Sequence, residues 1–98
     1  MMRIIPEPVT FEWDKGNIDK NFKKHGIDNR EAEEVFQNDP RFIFKDEKHS
    51  LSEERYMIWG ITNKKKRLAV VFTLRNYKVR IISARAMHKK EEVRYEKI

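Results

Sequence analysis

The chain has no cysteine, three glycines, three prolines and no apolar run near the ~20 residues a membrane-spanning helix needs. Without cysteine there is no disulfide scaffold and no thiolate metal site, which suits a reducing compartment. Three glycines build no glycine-rich phosphate loop, and no nucleophile elbow occurs. His25, His49 and His88 share no ligand spacing, and no paired-carboxylate motif accompanies them, so no metal or other cofactor is expected. The opening MMRIIPEPVT lacks a long apolar stretch and a small-residue cleavage site. No signal peptide is expected, and the expected location is the cytoplasm.

Charge is what the chain has in quantity. Charged residues are 39% of its 98 positions, with a formal net charge of +6. Residues 1–48 hold 9 Lys/Arg against 11 Asp/Glu, a net of −2, whereas residues 49–98 hold 13 against 5, a net of +8. A basic half beside a nearly neutral one suggests a surface for a polyanion, most often nucleic acid.

The length predicts one domain over 1–98, with 1–8 an irregular arm around Pro6 and Pro8. VTFEW (9–13) reads as a short strand. Asp14 can cap a helix running to about His25, with Ile18 and Phe22 on one face, and Gly26 sits where a helix wants a left-handed residue. Asp28 and Glu31 make a capping-box pair for a second helix over about 29–37, its inward face Ala32, Val35 and Phe36. Strands follow at 41–44, 55–62, 67–74 and 79–84, separated by a polar loop (46–54) and turns at 63–66 and 75–78, before a charged helix from about Ala86 to Tyr95. Gly60 marks a bend or a close backbone approach. The 67–74 segment is apolar almost throughout and is expected at the sheet centre. The expected class is α+β: a central antiparallel sheet, two N-terminal helices packed on one face and a C-terminal helix, in the order β-α-α-β-β-β-β-α.

HSLSEER (49–55) groups an imidazole, two carboxylates and a guanidinium just ahead of the sheet. Such groups are the usual acids and bases near neutral pH; taken alone they read as a solvated loop, and their place just ahead of the basic half's sheet raises the functional reading. Lys64, Lys65, Lys66 and Arg67 form a basic turn suited to a phosphate backbone, and Arg75, Lys78 and Arg80 add charge around the next turn. Tyr56, Trp59 and Tyr77 offer aromatic rings for stacking on unpaired bases, with Trp59 expected mostly buried. RNA carries its own nucleophile, the 2′-OH. Cleavage needs a base for that proton, an acid for the leaving 5′ oxygen and fixed cations for the charge growing on the phosphate. His, Glu, Lys and Arg supply all three without a metal.

RIISAR (80–85) poses a puzzle. Its two arginines are five positions apart, and in a regular strand an odd offset sends them to opposite faces. Either Arg85 lies past the strand end, where alternation lapses, and reaches the site from the strand–helix junction, or only one of the two arginines is catalytic; the first is the expectation.

Seven segments, in order, carry a family resemblance: FEWD (11–14), NFKKHG (21–26), EAEEVF (31–36), HSLSEERY (49–56), TLR (73–75), RIISAR (80–85) and EEVRYE (91–96). Together they resemble the BrnT toxins of bacterial type II toxin–antitoxin pairs, which have the RelE-like fold. The first ten residues fall outside the match. The resemblance implies a ribonuclease that inhibits translation, a cognate BrnA-like antitoxin with a ribbon-helix-helix domain, and contact with operator DNA only through the antitoxin complex. No membrane partner is implied. It also points to His49, Glu54, Arg55, Arg75 and Arg85 as the catalytic set; the basic turns, Lys64 to Arg67 and Lys78, together with Arg80, are expected to hold RNA. Two other readings stand beside it: a basic module that grips RNA or an acidic protein without chemistry, and a purely structural partner of a DNA-binding protein.

Overall fold

The computed structural model describes residues 5–49 and 52–98, leaving out the side chain of His49. Residues 1–4 of the expected arm and Ser50 and Leu51 of the loop motif lie outside the described residues. The architecture is α+β. Helices α1 (Lys20–His25) and α2 (Asn29–Glu34) precede strands β1 (Phe42–Lys45), β2 (Tyr56–Ile61), β3 (Arg67–Arg75) and β4 (Lys78–Ala86), and helix α3 (Lys89–Tyr95) follows. The strands form one antiparallel sheet in sequential order, β1-β2-β3-β4. Short connections allow only this pairing between neighbours, and the most apolar strand, β3, lies inside the sheet as its composition predicts.

The predicted first strand is reduced to a single parallel bridge, Phe11 to Val79. Val79 donates its N–H to the Thr10 carbonyl and accepts from the Glu12 N–H. The pairing goes no further because the chain turns at Asp14, whose carboxylate accepts from the Gly16 N–H at 2.8 Å. Asp14 is therefore a turn residue and not a helix cap, and α1 begins only at Lys20. Ile18 and Phe22, expected to face inward, are 44% and 58% exposed. The buried positions of that stretch are polar instead, Asn17 and Asn21. Asn17 explains why: its side-chain amide donates to the carbonyls of Glu12 (2.9 Å) and Ile81 (3.1 Å) and accepts from the Asp14 N–H (2.8 Å). Where the bridge stops, this one side chain continues to satisfy the outer edge of β4.

Local signals elsewhere hold. Gly26 ends α1 in the left-handed region (φ 71°), with its N–H on the Phe22 carbonyl and that of Ile27 on the Asn21 carbonyl. Asp28 and Glu31 form the predicted reciprocal cap. Ala32, Val35 and Phe36 from and just after α2 pack with Ile58, Val70, Phe72, Val79 and Ile81 on one face of the sheet. Phe36 meets Phe11 and Phe72 edge-on, at ring separations of 5.4 and 5.0 Å. On the opposite face, Tyr95 of α3 packs with Trp59, Ala69 and Met87. Its hydroxyl donates to the Pro40 carbonyl. Among the described residues, no helix is long and apolar enough to cross a membrane.

Gly60 fixes how closely α2 approaches the sheet. A Cβ there would lie 2.8 Å from the Val35 Cβ and 3.0 Å from the Val35 carbonyl oxygen. Gly60→Ala should force α2 off the sheet and lower stability by about 1–3 kcal/mol, the usual cost of overpacking. Urea unfolding followed by tryptophan fluorescence measures it. An unchanged midpoint would contradict this packing.

Candidate functional site

The register between β3 and β4 shifts by one residue. Val71 faces Ser83, but Phe72 faces Ile81, so Ile82 has no partner of its own and forms a β-bulge. Cross-strand partners share a face. Arg80 lies opposite Thr73 and Arg85 opposite Ala69. Thr73 and Ala69 are four apart on β3, an even offset, so the bulge places Arg80 and Arg85 on the same face of the sheet. It is the face opposite Val70, Phe72 and α2.

Arg85 is thus inside β4, not past its end as expected. The extra residue at Ile82 does what a lapse of the strand was expected to do. On this face α3 covers the half around Ala69 through Tyr95, while the other half carries Val71, half-buried, Thr73, buried, and Arg75, exposed. We call this half the open face.

Arg75 and Lys78 are cross-strand partners at the end of the β3–β4 hairpin, and Arg80 lies diagonally across from Arg75. Glu53 joins Arg75 to the strand before it: its carboxylate lies 3.4 Å from the Arg75 guanidinium and 3.9 Å from that of Arg55. The Thr73 hydroxyl, buried beneath them, donates to the Glu54 carbonyl at 2.7 Å and fixes this loop to β3. Arg80 is held by two carboxylates of the N-terminal segment, Glu12 at 2.9 Å and Asp14 at 2.9 and 3.0 Å, and its side chain is only 12% exposed. Gly16 makes room for it, since a Cβ there would lie 2.8 Å from the Arg80 Nη2. The Arg80 hydrogen bond and the Gly16 N–H hold the Asp14 carboxyl below its ordinary range, and the charges of Arg80 and Arg75 add to this.

The expected catalytic set is only partly brought together. Arg55 and Arg75 gather at the open face, beside Arg80 of the expected RNA-holding residues. Glu54 does not join them: it accepts from the Tyr56 hydroxyl at 2.9 Å and pairs with Lys45 at 3.4 Å. Tyr56 stacks on Phe72 of the α2-covered side. Those two partners lower the Glu54 carboxyl, Tyr56 first. The carboxylate beside the arginines is Glu53. Period-two alternation carried the signal, because Glu53 and Arg55 are two apart whereas Glu54 and Tyr56 fall on the other parity. His49 ends a 3₁₀ turn (Glu47–His49) at the start of the same loop, and its side chain lies outside the described residues.

Arg85 shares the face but not the place. Six residues of β3, about 20 Å at strand rise, separate its partner Ala69 from Arg75. Its guanidinium is paired with Glu91 of α3 at 2.7 and 3.0 Å. Glu91 also accepts from the His88 N–H at 2.8 Å, and the Arg85 pairing is the main reason its carboxyl is lowered. Arg85 therefore anchors α3. The expected basic cluster also divides. Lys64 and Lys65 are exposed at the β2–β3 turn. Lys66 pairs with Glu31 of α2 at 2.7 Å, and Arg67 pairs with Glu96 after α3. That turn is at the opposite end of β3 from Arg75 and Lys78, about 26 Å away along the strand. Among the described residues no three His, Asp or Glu side chains are grouped to hold a metal ion.

Fold and site define the class: a small α+β domain with Arg55, Arg75 and Arg80 gathered on one side of its sheet. A family model described as the ribonuclease toxin, BrnT, of type II toxin–antitoxin systems matches residues 13–91. The chain belongs to the BrnT family of ribonuclease toxins, which makes RNA its substrate class and an antitoxin its partner. No curated protein matches it.

The Asp14–Arg80 pair predicts a pH dependence. The folded state holds Asp14 below its unfolded value, which is near 3.8. The unfolded chain therefore takes up the proton first on acidification. The stabilisation is complete above that value and is lost as pH falls through the folded one. Urea midpoints between about pH 5 and pH 2 should fall less steeply for Asp14→Asn than for the wild type. Parallel curves would show that the pair does not contribute.

Proposed function

We propose that this chain is a RelE-like, metal-independent endoribonuclease toxin that inhibits translation in the cytoplasm. A ribbon-helix-helix antitoxin of the BrnA kind neutralises it, and operator DNA is touched only through the complex. The observation that carries the reading is the clustering of Arg55, Arg75 and Arg80 on the open face, with Glu53 among them. Fixed guanidinium groups favour a phosphate whose charge is growing, and their forked geometry suits two of its oxygens.

The reaction follows from RNA's own chemistry. A base removes the 2′-OH proton, the 2′ oxygen bonds to the adjacent phosphorus, and the bond to the 5′ oxygen breaks as an acid returns a proton to it. The products are a 2′,3′-cyclic phosphate and a free 5′-OH. We assign the cationic role to Arg75 and Arg55 and the carboxylate role to Glu53 in preference to Glu54, because Glu53 shares the arginines' side of the loop. His49, at the head of that loop, takes the second acid–base role. Arg80 positions the Asp14 turn against β4 beside Arg75, Lys78 extends the RNA path along the hairpin, and Arg85 holds α3. Lys64 and Lys65 form a separate basic site.

Purified protein should cleave single-stranded RNA in EDTA, leave cyclic phosphate ends, and fail on the same oligonucleotide with 2′-deoxy sugars. Arg75→Ala should lower kcat about 10²–10³-fold with the fold intact by circular dichroism. Glu53→Gln should cost more activity than Glu54→Gln. Cleavage of the 2′-deoxy strand, or its loss in EDTA, would contradict the mechanism. Salt-dependent RNA retention with no new ends would favour a binding module.

A further inference from the structure

The β3–β4 hairpin closes through two residues, Asn76 and Tyr77, both with positive φ (51° and 63°). This is the primed turn that matches strand twist, and its second position strongly prefers glycine. Asparagine tolerates the left-handed region at the first position. Tyrosine does not fit the second in the same way: its Cβ meets the steric penalty that glycine avoids. A bulky residue at positive φ is uncommon enough to prompt a functional reading.

The side chain recovers nothing from the fold. Tyr77 is 85% exposed and takes part in none of the aromatic pairs among the described residues. Its neighbours are the cations of the open face: Lys78 follows it, and Arg75, the partner of Lys78, is two residues before it. An exposed ring at a strained position beside two phosphate-binding cations is the arrangement that recognises single-stranded RNA, with stacking for a base and charge for its backbone.

We propose that Tyr77 is a substrate-binding residue whose ring stacks on an unpaired nucleobase adjoining the phosphate held by Arg75. This rests on the ribonuclease reading above, and it makes the hairpin tip part of the RNA site. A protein partner is disfavoured as the occupant because the residues that flank the ring in the turn, Arg75, Asn76 and Lys78, are polar or cationic.

The test exploits the opposition between strain and binding. Tyr77→Gly relieves the turn and should raise Tm by about 4 °C. It should also raise KM for single-stranded RNA about tenfold, the loss of a stacked base, while leaving kcat within about twofold. Tyr77→Trp should retain the wild-type KM. Affinity for a non-cleavable 2′-deoxy analogue should fall in parallel with the rise in KM. An unchanged KM in Tyr77→Gly, with the wild type active, would overturn the inference and leave the ribonuclease reading standing. So would weaker binding of the cognate antitoxin to Tyr77→Gly with RNA binding unchanged, which would assign the ring to the protein partner. A wild type that neither cleaves nor binds RNA would overturn both.

Discussion

One unpaired residue, Ile82, determines which side chains of β4 meet on each side of the sheet. Before it, Val79 and Ile81 point into the core under α2, and Arg80 points away. After it, Ala84 occupies the core and Arg85 points away. In a bulge-free strand these two sets could not both be satisfied. A guanidinium would enter the apolar layer at severe desolvation cost in either register, Arg85 if Val79 and Ile81 stay inside and Arg80 if Ala84 does. The bulge lets one strand fill a continuous core and still present both arginines to the opposite face.

The same face is then divided by function. At one end α3 closes over Trp59 and Ala69, and Arg85 serves that closure through Glu91. At the other end Arg75, Arg55 and Arg80 accumulate. Carboxylates accompany them: Glu53 for Arg75 and Arg55, Glu12 and Asp14 for Arg80. These pairs keep like charges tolerable before any polyanion arrives. They differ in depth. Arg80 is nearly enclosed between its carboxylates, whereas the Arg75 side chain is about half exposed.

Much of this was legible in the sequence. The capping box at Asp28, the glycine stop at Gly26, the inward face of α2 and the four sheet strands follow from local rules and periodicity. What was not legible shares a cause, since each case depends on a contact distant in sequence. Asp14 looks like a helix cap until Arg80, 66 residues later, claims it. Ile18 and Phe22 look like a core face because nothing local reveals that Asn17 and Asn21 take the buried positions. Glu54, the glutamate the family motif points to, lies on the Tyr56 side of the loop, a parity that shows only once Thr73 ties the loop to β3. A bulge leaves no composition signal, so Arg85 could be placed only by pairing β4 with β3.

The central claim is that the bulged, arginine-lined half of the sheet is where RNA binds. The most direct measurement is a nuclear magnetic resonance titration of labelled protein with a 2′-deoxy oligonucleotide. Shifts should concentrate on the guanidinium Nε–H signals of Arg55 and Arg75 and on the backbone of Val71, Thr73 and Ser83, with Lys45, Glu54 and α2 unmoved. Shifts centred on α2, Lys45 and Tyr56, or on the Lys64–Lys65 turn alone, would contradict it.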